Sequence, residues 1–479
     1  MNYDIEQIFS WLFFINALIV IVIIILERKR PEKTIAWILV LVILPTLGFI
    51  LYILLGRNWK RKRNKLNKHF DLPANSPVVR ELCNVKSDIN KLIKLLSTSG
   101  NSPLFTNNKV VIFKDGNEKF SALLEELRKA KHHIHLEYYI VNSDHIGNKI
   151  KEILIKKALE GVKVRFIMDR VGAIRVKRKY IRDLRKAGVD VVQYAYFLAP
   201  LFRFINTQIN YRNHRKIAII DGQVGFVGGI NIGDEYLGRS NFGYWRDTHL
   251  MIQGNFVSGL QAIFLNDFWK IKRVNGEDFF NKEIYSQYFY QTPTNGEKIL
   301  QLASSGPDSE YPTIMQAFLK MIALAKRQIY ITTPYFVPPE SIMDMLKAAA
   351  LSGIDVRILF PKRYDHLVVH YASRTYLGEL IRCGVKVYLY DPNSFIHAKV
   401  MTIDGKLATV GTANMDIRSF ELNYEINAVI YDQELTQELD KMFFEDLEKS
   451  TLLTSTDLEN TPKLTKSFEA ISRVFSNFF

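Results

Sequence analysis

Cysteine is nearly absent: the 479 residues contain two, Cys83 and Cys383, 300 positions apart. That excludes a disulfide framework and a cysteine-rich zinc module, and it suits a reducing compartment with both thiols free. Carboxylates are the minority charge, with 49 Asp plus Glu against 64 Lys plus Arg, and the net +15 favours polyanionic partners, either nucleic acid or the anionic face of a membrane. No G-x-x-x-x-G-K-[ST] loop occurs, and Gly225 to Gly233 lacks the dinucleotide fingerprint. His133 with His135, and His366 with His370, have no third ligand at metal spacing, so no metal is expected. What is present, 48% hydrophobic and 24% charged residues, excludes disorder and collagen-like repeats and fits a folded chain of about three units at roughly 150 residues each.

Two long apolar runs open the chain, about 8–26 and 34–55, each near the ~20 residues a bilayer core requires. Met1 to Gln7 carries Asp4 and Glu6 and no basic residue, and Glu27-Arg28-Lys29-Arg30 replaces a cleavage site, so a transmembrane hairpin (1–56) is expected rather than a signal peptide. The link has Arg28, Lys29, Arg30 and Lys33, whereas Arg57, Lys60, Arg61, Lys62, Arg63, Lys65 and Lys68 follow the second run. The larger cluster, in a basic linker over 57–104, places the C-terminal bulk in the cytoplasm and attracts anionic lipid.

Beyond residue 100 the chain repeats. Ala130-Lys131-His132-His133-Ile134 is echoed by Ala325-Lys326-Arg327-Gln328-Ile329, Ala158 to Ile167 by Ala350 to Leu359, and Leu184 to Val189 by Leu380 to Val385. Each pair closes a helix and opens a strand, the last two through a glycine, which predicts two related α/β domains over about 105–295 and 296–450. A tail over 451–479 puts Leu464, Phe468, Ile471, Phe475 and Phe478 at helical spacing, to pack on the domain or lie in the membrane interface.

Each repeat ends in the same constellation. The first reads His214-x-Lys216-x4-Asp221-x6-Gly228-Gly229-x-Asn231, and the second His397-x-Lys399-x4-Asp404-x6-Gly411-Thr412-x-Asn414. On a strand, side chains two apart share a face, which would project His214 with Lys216 and His397 with Lys399. A neutral imidazole beside an ammonium is suited to attack at phosphorus while the cation neutralises phosphoryl oxygens; Asn231 and Asn414 add amide donors. Asp221-Gly222 and Asp404-Gly405 are hairpin signals, so these two motif aspartates read as structural. Asp247 and Glu425, in matching places before apolar strands, are the candidates to hold the imidazoles.

These paired motifs resemble those of the phospholipase D superfamily, and with the apolar N-terminus the whole chain is similar to the bacterial cardiolipin synthases. The resemblance implies an α/β fold: two similar phospholipase D-like α/β/α domains with pseudo-twofold symmetry, preceded by a two-helix transmembrane hairpin. It implies a catalytic set of His214, Lys216, Asp221, His397, Lys399 and Asp404, with neither metal nor cofactor. His214 would be the nucleophile and His397 the general acid and then base. Lys216, Lys399, Asn231, Asn414, Gly229 and Thr412 would hold phosphate, and Asp247 and Glu425 would orient the imidazoles. Gly229 departs from the Ser or Thr of many members.

The implied reaction transfers a phosphatidyl group between two phosphatidylglycerols through phosphatidyl-histidine, giving cardiolipin and glycerol, with His397 protonated and His214 neutral at the first step. Phe197, Leu198, Leu201, Phe202 and Phe204 form either an apolar entrance or local core. The D-G-x-x-A-R core of the metal-dependent CDP-alcohol phosphotransferases is missing. Expected partners are phosphatidylglycerol, cardiolipin and the anionic membrane surface, without nucleic acid; an oligomer is compatible. The expected location is the bacterial cell membrane, multi-pass, with cytoplasmic catalytic domains. A membrane-anchored hydrolase or nuclease with the same site, and an idle lipid-binding protein, stand as alternatives.

Overall fold

The computed structural model describes residues 18, 21, 22, 31–52, 88–194, 211–274, 286–289 and 295–476. Most of the first apolar run, the basic cluster at 57–68, Cys83, the aromatic stretch Phe197 to Phe204, and Phe478 lie outside these residues. The chain divides into two compact units, residues 1–64 with 195–211, and residues 65–194 with 212–479.

In the first unit, the second apolar run is two helices, α1 (Pro31–Ile43) and α2 (Pro45–Leu51), rather than the single expected span. The break has a local cause: Pro45 restricts the preceding residue, and Leu44 leaves the helical region at φ −129°, ψ 70°. Trp37 meets Tyr52 edge-on at 5.4 Å between ring centroids. Among the described residues, no helix is long and apolar enough to cross a membrane.

The second unit is built on one sixteen-stranded sheet. Its first stretch comprises α3 (Asp88–Gly100), β1 (Leu104–Asp115), α4 (Gly116–Lys129), β2 (His133–Tyr138), α5 (His145–Leu159), β3 (Lys163–Asp169), α6 (Arg178–Lys186), β4 (Asp190–Tyr194), β5 (Ile217–Ile220), β6 (Val224–Gly228), β7 (Trp245–Gly254) and α7 (Phe256–Val274). The second stretch comprises β8 (Lys298–Ser305), α8 (Thr313–Leu324), β9 (Gln328–Thr332), β10 (Phe336–Val337), α9 (Glu340–Leu351), β11 (Asp355–Pro361), α10 (Leu367–Arg382), β12 (Lys386–Tyr390), β13 (Phe395–Ile396), β14 (Val400–Ile403), β15 (Leu407–Gly411), β16 (Met415–Asp416), α11 (Ile417–Glu421), β17 (Glu425–Ile430), α12 (Gln433–Leu447), β18 (Thr451–Leu453), α13 (Ser455–Glu459) and α14 (Lys463–Phe475).

Strand order runs β4-β3-β2-β5-β6-β7-β1 in one half and β12-β11-β9-β14-β15-β17-β8 in the other, and the halves join where β1 pairs antiparallel with β8. Along each of these strand orders the two crossovers are parallel and the remaining pairs antiparallel, while β10 and β16 pair parallel as a separate two-stranded sheet. The repeat read from the sequence is thus a repeat of topology. Gly161 and Gly353 make the predicted helix-to-strand turns at φ +91° and +92°, a region that favours glycine. β2 is buried along its whole length, as parallel strands covered on both faces are.

Each half has its own apolar core, and a third core belongs to both. Phe105, Ile217, Leu250 and Phe264 pack there with Val410, Ile426 and Leu439. At ~1.5–3 kcal/mol per buried Ile, Leu or Phe side chain, this shared layer holds the halves as one body and fixes how their strand ends face each other.

Candidate active site

The two motif histidines do not lie on strands. β5 begins at Ile217 and β14 at Val400, one residue after each motif lysine. Each histidine sits on an extended stub ahead of its strand, because that stub pairs with the other half. His214 N–H donates to the Tyr424 carbonyl at 3.0 Å, and His397 N–H to the Arg246 carbonyl at 2.7 Å. β13 runs parallel to the start of β7, and Asn213 bridges Tyr424 in the same way.

This pairing sets each imidazole beside a carboxylate from the opposite repeat. His214 Nδ1 lies 3.0 Å from Glu425, and His397 Nδ1 lies 2.8 Å from Asp247. Both carboxylates are fully buried. Glu425 also accepts from the Thr412 hydroxyl at 2.5 Å and the Asn423 amide at 3.1 Å, and Asp247 accepts from Thr248 N–H at 2.7 Å. The two motifs therefore meet in a single site through crossed contacts.

Burial alone pushes the Glu425 carboxyl up, but His214, Lys216 and the Thr412 hydroxyl hold it below the ordinary glutamate value. An ionised carboxylate only accepts, so His214 donates its Nδ1–H and keeps a lone pair on Nε2. Burial drives His214 down to about 4, opposed by Glu425 and reinforced by Lys216 and Lys399. His397 also falls to about 4, through burial and then Lys399, against Asp247 and Asp365. Burial beside an ammonium opposes a second positive charge and pushes both imidazoles toward the neutral form near pH 7, so a His397 protonated for the first step gains its proton as the anionic substrate binds.

The lysines lie across their histidines. Lys216 Nζ donates to the His214 carbonyl at 2.7 Å, and Lys399 Nζ is 2.9 Å from Nδ1 and 3.1 Å from Nε2 of His397. Burial lowers Lys216 to about 7 despite Glu425, with Lys399 adding to the fall, and lowers Lys399 to about 8 against Asp247 and Glu425. Two ammoniums that influence each other this way form a pocket of stored positive charge, which an anion relieves.

The remaining motif residues divide. Asn231 is 1% exposed, accepts from Ile140 N–H at 3.1 Å and donates to the Tyr236 hydroxyl at 2.6 Å. Asn414 is buried, and its Oδ1 has no hydrogen-bond partner. Thr412 and Gly229 were expected to hold phosphate, but the Thr412 hydroxyl is turned to Glu425, and a Cβ on Gly229 would stand 2.0 Å from Asp247 Oδ1. Both positions pack against the carboxylates instead, and glycine is required where Asp247 comes closest.

Asp221 and Asp404 lie at the far ends of β5 and β14, seven residues or roughly 20 Å along the strand from the histidines. Each takes a positive φ, +54° and +53°, and its carboxylate accepts three backbone N–H groups: Lys131, His132 and His133 in one half, Lys326, Arg327 and Gln328 in the other. Their place in the catalytic set is corrected: they tie each hairpin turn to the start of the parallel strand.

Several side chains outside the two motifs border the site, among them Tyr139 and Tyr335, which the sequence left open between lining the site and packing in the core. The Tyr139 ring stands edge-on to His214 at 5.0 Å, and its repeat counterpart Tyr335 to His397 at 6.4 Å. Tyr335 donates to Asp365; on the other side Asp169 acts on Tyr139 and accepts from the Asn213 N–H, next to His214, at 2.9 Å. Trp245 and Tyr236 flank His397 at 5.6 and 6.3 Å. Lys119 is fully buried over the Phe120 ring, and Asp247 acts on its charge. The doubled Tyr139 and Tyr335 were the available signal; Asp365 sits in a loop with no repeat to betray it. His133 and His135 bond Gln261, and Arg165 donates to His135 at 3.0 Å. Cys383 is a free thiol.

The family described as "Cardiolipin synthase, PLD-like domain" matches residues 123–267 and 318–447, and one described as phospholipase D-nuclease N-terminal matches residues 10–57. The chain is similar to proteins named cardiolipin synthase from Geobacillus kaustophilus (strain HTA426), 42% identical over 98% of this chain and 93% of that protein, and from Oceanobacillus iheyensis, 42% identical over 97% of each. Among solved structures, phosphatidylserine synthase from Haemophilus influenzae Rd KW20 shares the fold, with a TM-score of 0.63 at 16% identity, over 81% of this chain and all of that one.

Proposed function

The chain belongs to the phospholipase D-like cardiolipin synthase family, and we propose that it joins two phosphatidylglycerols into cardiolipin and glycerol through a histidine-bound intermediate. The observation that carries the reading is the crossed pairing of His214 with Glu425 and His397 with Asp247, which supports the action of both motifs on one phosphorus.

His214 Nε2, freed by the Nδ1–H bond to Glu425, attacks the phosphorus of the first lipid. Lys216 and Lys399, with Asn231 and Asn414, hold the non-bridging oxygens. The anionic phosphodiester raises the local basicity, and His397, favoured by Asp247 and Asp365, takes up the proton that it passes to the departing glycerol oxygen. The P–O bond breaks as the N–P bond forms. His397, now neutral, accepts the proton from the primary hydroxyl of the second lipid, whose oxygen displaces His214. One phosphodiester replaces another, so the balance needs no nucleotide. With His214 as nucleophile, His397 is the proton carrier, its charged form favoured by Asp247 and Asp365.

We read 105–295 and 296–450 as the two domains, and the apolar runs at 8–26 and 34–55 as the membrane-embedded segment of a cell-membrane protein whose catalytic body is cytoplasmic. The apolar composition, the basic cluster at 57–68 and the family match over 10–57 support this. The test supplies purified protein with phosphatidylglycerol vesicles, with and without chelator, and measures cardiolipin, glycerol and phosphatidic acid. Equal cardiolipin and glycerol with little phosphatidic acid is the expected result. Phosphatidic acid as the main product would assign the site to hydrolysis, and abolition by chelator would overturn the mechanism.

A further inference from the structure

A surface helix ordinarily buries its apolar stripe and shows water its polar face. α14 does the reverse. The residues it turns toward α10 are polar: Glu469, Ser472 and Ser476 are 9%, 1% and 1% exposed. Arg374 Nε donates to Glu469 at 2.6 Å, Arg473 pairs with Glu379 at 2.5 Å and donates to the Thr375 hydroxyl at 3.3 Å, and Ser476 bonds the Tyr376 hydroxyl at 3.0 Å. Phe468 adds an edge-on contact to Tyr371 at 5.0 Å.

Outward, Leu464, Ile471, Val474 and Phe475 are 86%, 56%, 71% and 50% exposed. At about 100° per residue, Leu464, Ile471 and Phe475 fall within roughly 40° of arc, some 110° around from the polar ties. The outer side also carries Lys463 and Lys466 and no carboxylate, since Glu469, the one acidic residue of the helix, is turned inward.

An apolar stripe bordered by lysines, on a helix whose attachment to the body does not use that stripe, has the form of a helix lying in a lipid interface. A second copy fits less well, because a twofold contact would set lysines near lysines with no carboxylate of the helix to pair them. We propose that α14 is a membrane-docking helix, with Leu464, Ile471, Val474 and Phe475 seated among the acyl chains of an anionic leaflet and the polar ties holding the catalytic body to it. The strut between helix and site is α10. It receives α14 along one side, and it begins at Leu367, directly after Asp365 and His366 beside Tyr335 at the His397 mouth. This goes beyond the proposed reaction, although its effect on turnover rests on that reading.

The test uses the full chain reconstituted in phosphatidylglycerol-containing vesicles. A Cys83→Ser, Cys383→Ser background carrying Ile471→Cys is labelled with an environment-sensitive fluorophore, and Leu159→Cys, 73% exposed on α5, serves as the control site. The expected result is blue-shifted emission at 471, quenched severalfold more by bromine-substituted acyl chains than at 159. A second variant, Ile471→Glu with Phe475→Glu, should lower turnover of bilayer phosphatidylglycerol at least tenfold while leaving melting temperature and turnover of a dispersed short-chain lipid within twofold of wild type. Emission at 471 that stays water-like sinks the proposal, as does a buried label that ignores brominated lipid and responds to protein dilution, which would indicate a second copy. If neither lipid is turned over by the wild type, the reaction reading fails while the fluorescence still decides the helix.

Discussion

Replacing Glu425 and Asp247 one at a time tests the crossed geometry, because each carboxylate serves the histidine of the opposite repeat. Glu425→Gln removes the negative charge that fixes the His214 tautomer and stabilises its charge during attack. Asp247→Asn does the same to His397, 2.8 Å away. Loss of a buried carboxylate behind a catalytic imidazole costs ~10⁴-fold in turnover, or about 5.4 kcal/mol at ~1.36 kcal/mol per decade. With phosphatidylglycerol both variants should fall by roughly that much. A lipid bearing a p-nitrophenyl leaving group separates them, because nitrophenolate departs without a proton. In a rapid-mixing measurement, Asp247→Asn should release a nitrophenolate burst close to wild type and then stall, while Glu425→Gln should show no burst. The reverse pattern, a burst kept by Glu425→Gln and lost by Asp247→Asn, would refute the assignment. Equal damage with both substrates would refute the division of labour.

The pH profile of kcat/KM should rise as His214 loses its proton around pH 4 and fall above that, because His397, also near 4 in the free enzyme, must take up a proton to release glycerol. It should fall more steeply past 7 and 8 as the lysines lose the ammonium form that binds phosphate. Lys216→Arg should remove the lower alkaline step, and an alkaline limb unchanged in that variant would exclude Lys216. Gly229→Ser should displace Asp247 and cost ~10²-fold in kcat, the scale of a 1 Å misplacement, whereas Thr412→Ser keeps the hydroxyl and should retain turnover; steady-state rates with a thermal melt decide both. Asp221→Ala and Asp404→Ala should each lower unfolding free energy by ~2–4 kcal/mol, as charge-assisted hydrogen bonds are lost, with kcat of the folded enzyme intact. A catalytic defect without a stability loss in urea titration would return these residues to the reaction.

The topology was readable because it is written twice. Helix-glycine-strand segments at matching intervals gave the α/β repeat, and equal spacing exposed the two His-Lys pairs and their carboxylates. The sequence did not reveal which carboxylate serves which histidine. That depends on stubs that hydrogen-bond across the molecule, Asn213 to Tyr424 and Phe395 to Trp245, and no local pattern encodes it. For the same reason strand periodicity misplaced His214 and His397, whose extended backbone is satisfied by the far repeat rather than by a hairpin neighbour. Thr412 and Gly229 were given to phosphate because a hydroxyl and a bare backbone both suit an anion, and only the approach of Glu425 and Asp247 separates that use from packing. The polar inner side of α14 was hidden because Arg374, Tyr376 and Glu379, its partners, lie 94 to 100 residues earlier in the chain.

The seam where β1 meets β8 thus joins two lenders, each repeat supplying the base that its twin's ring depends on. A chimaera grafted from two relatives at that seam would inherit imidazoles and carboxylates that had drifted apart in separate lineages. Its defect would be mended by compensating changes around residues 211–216 or 244–247 of one parent, so substitutions in these short segments should be tolerated in pairs across the seam and seldom singly.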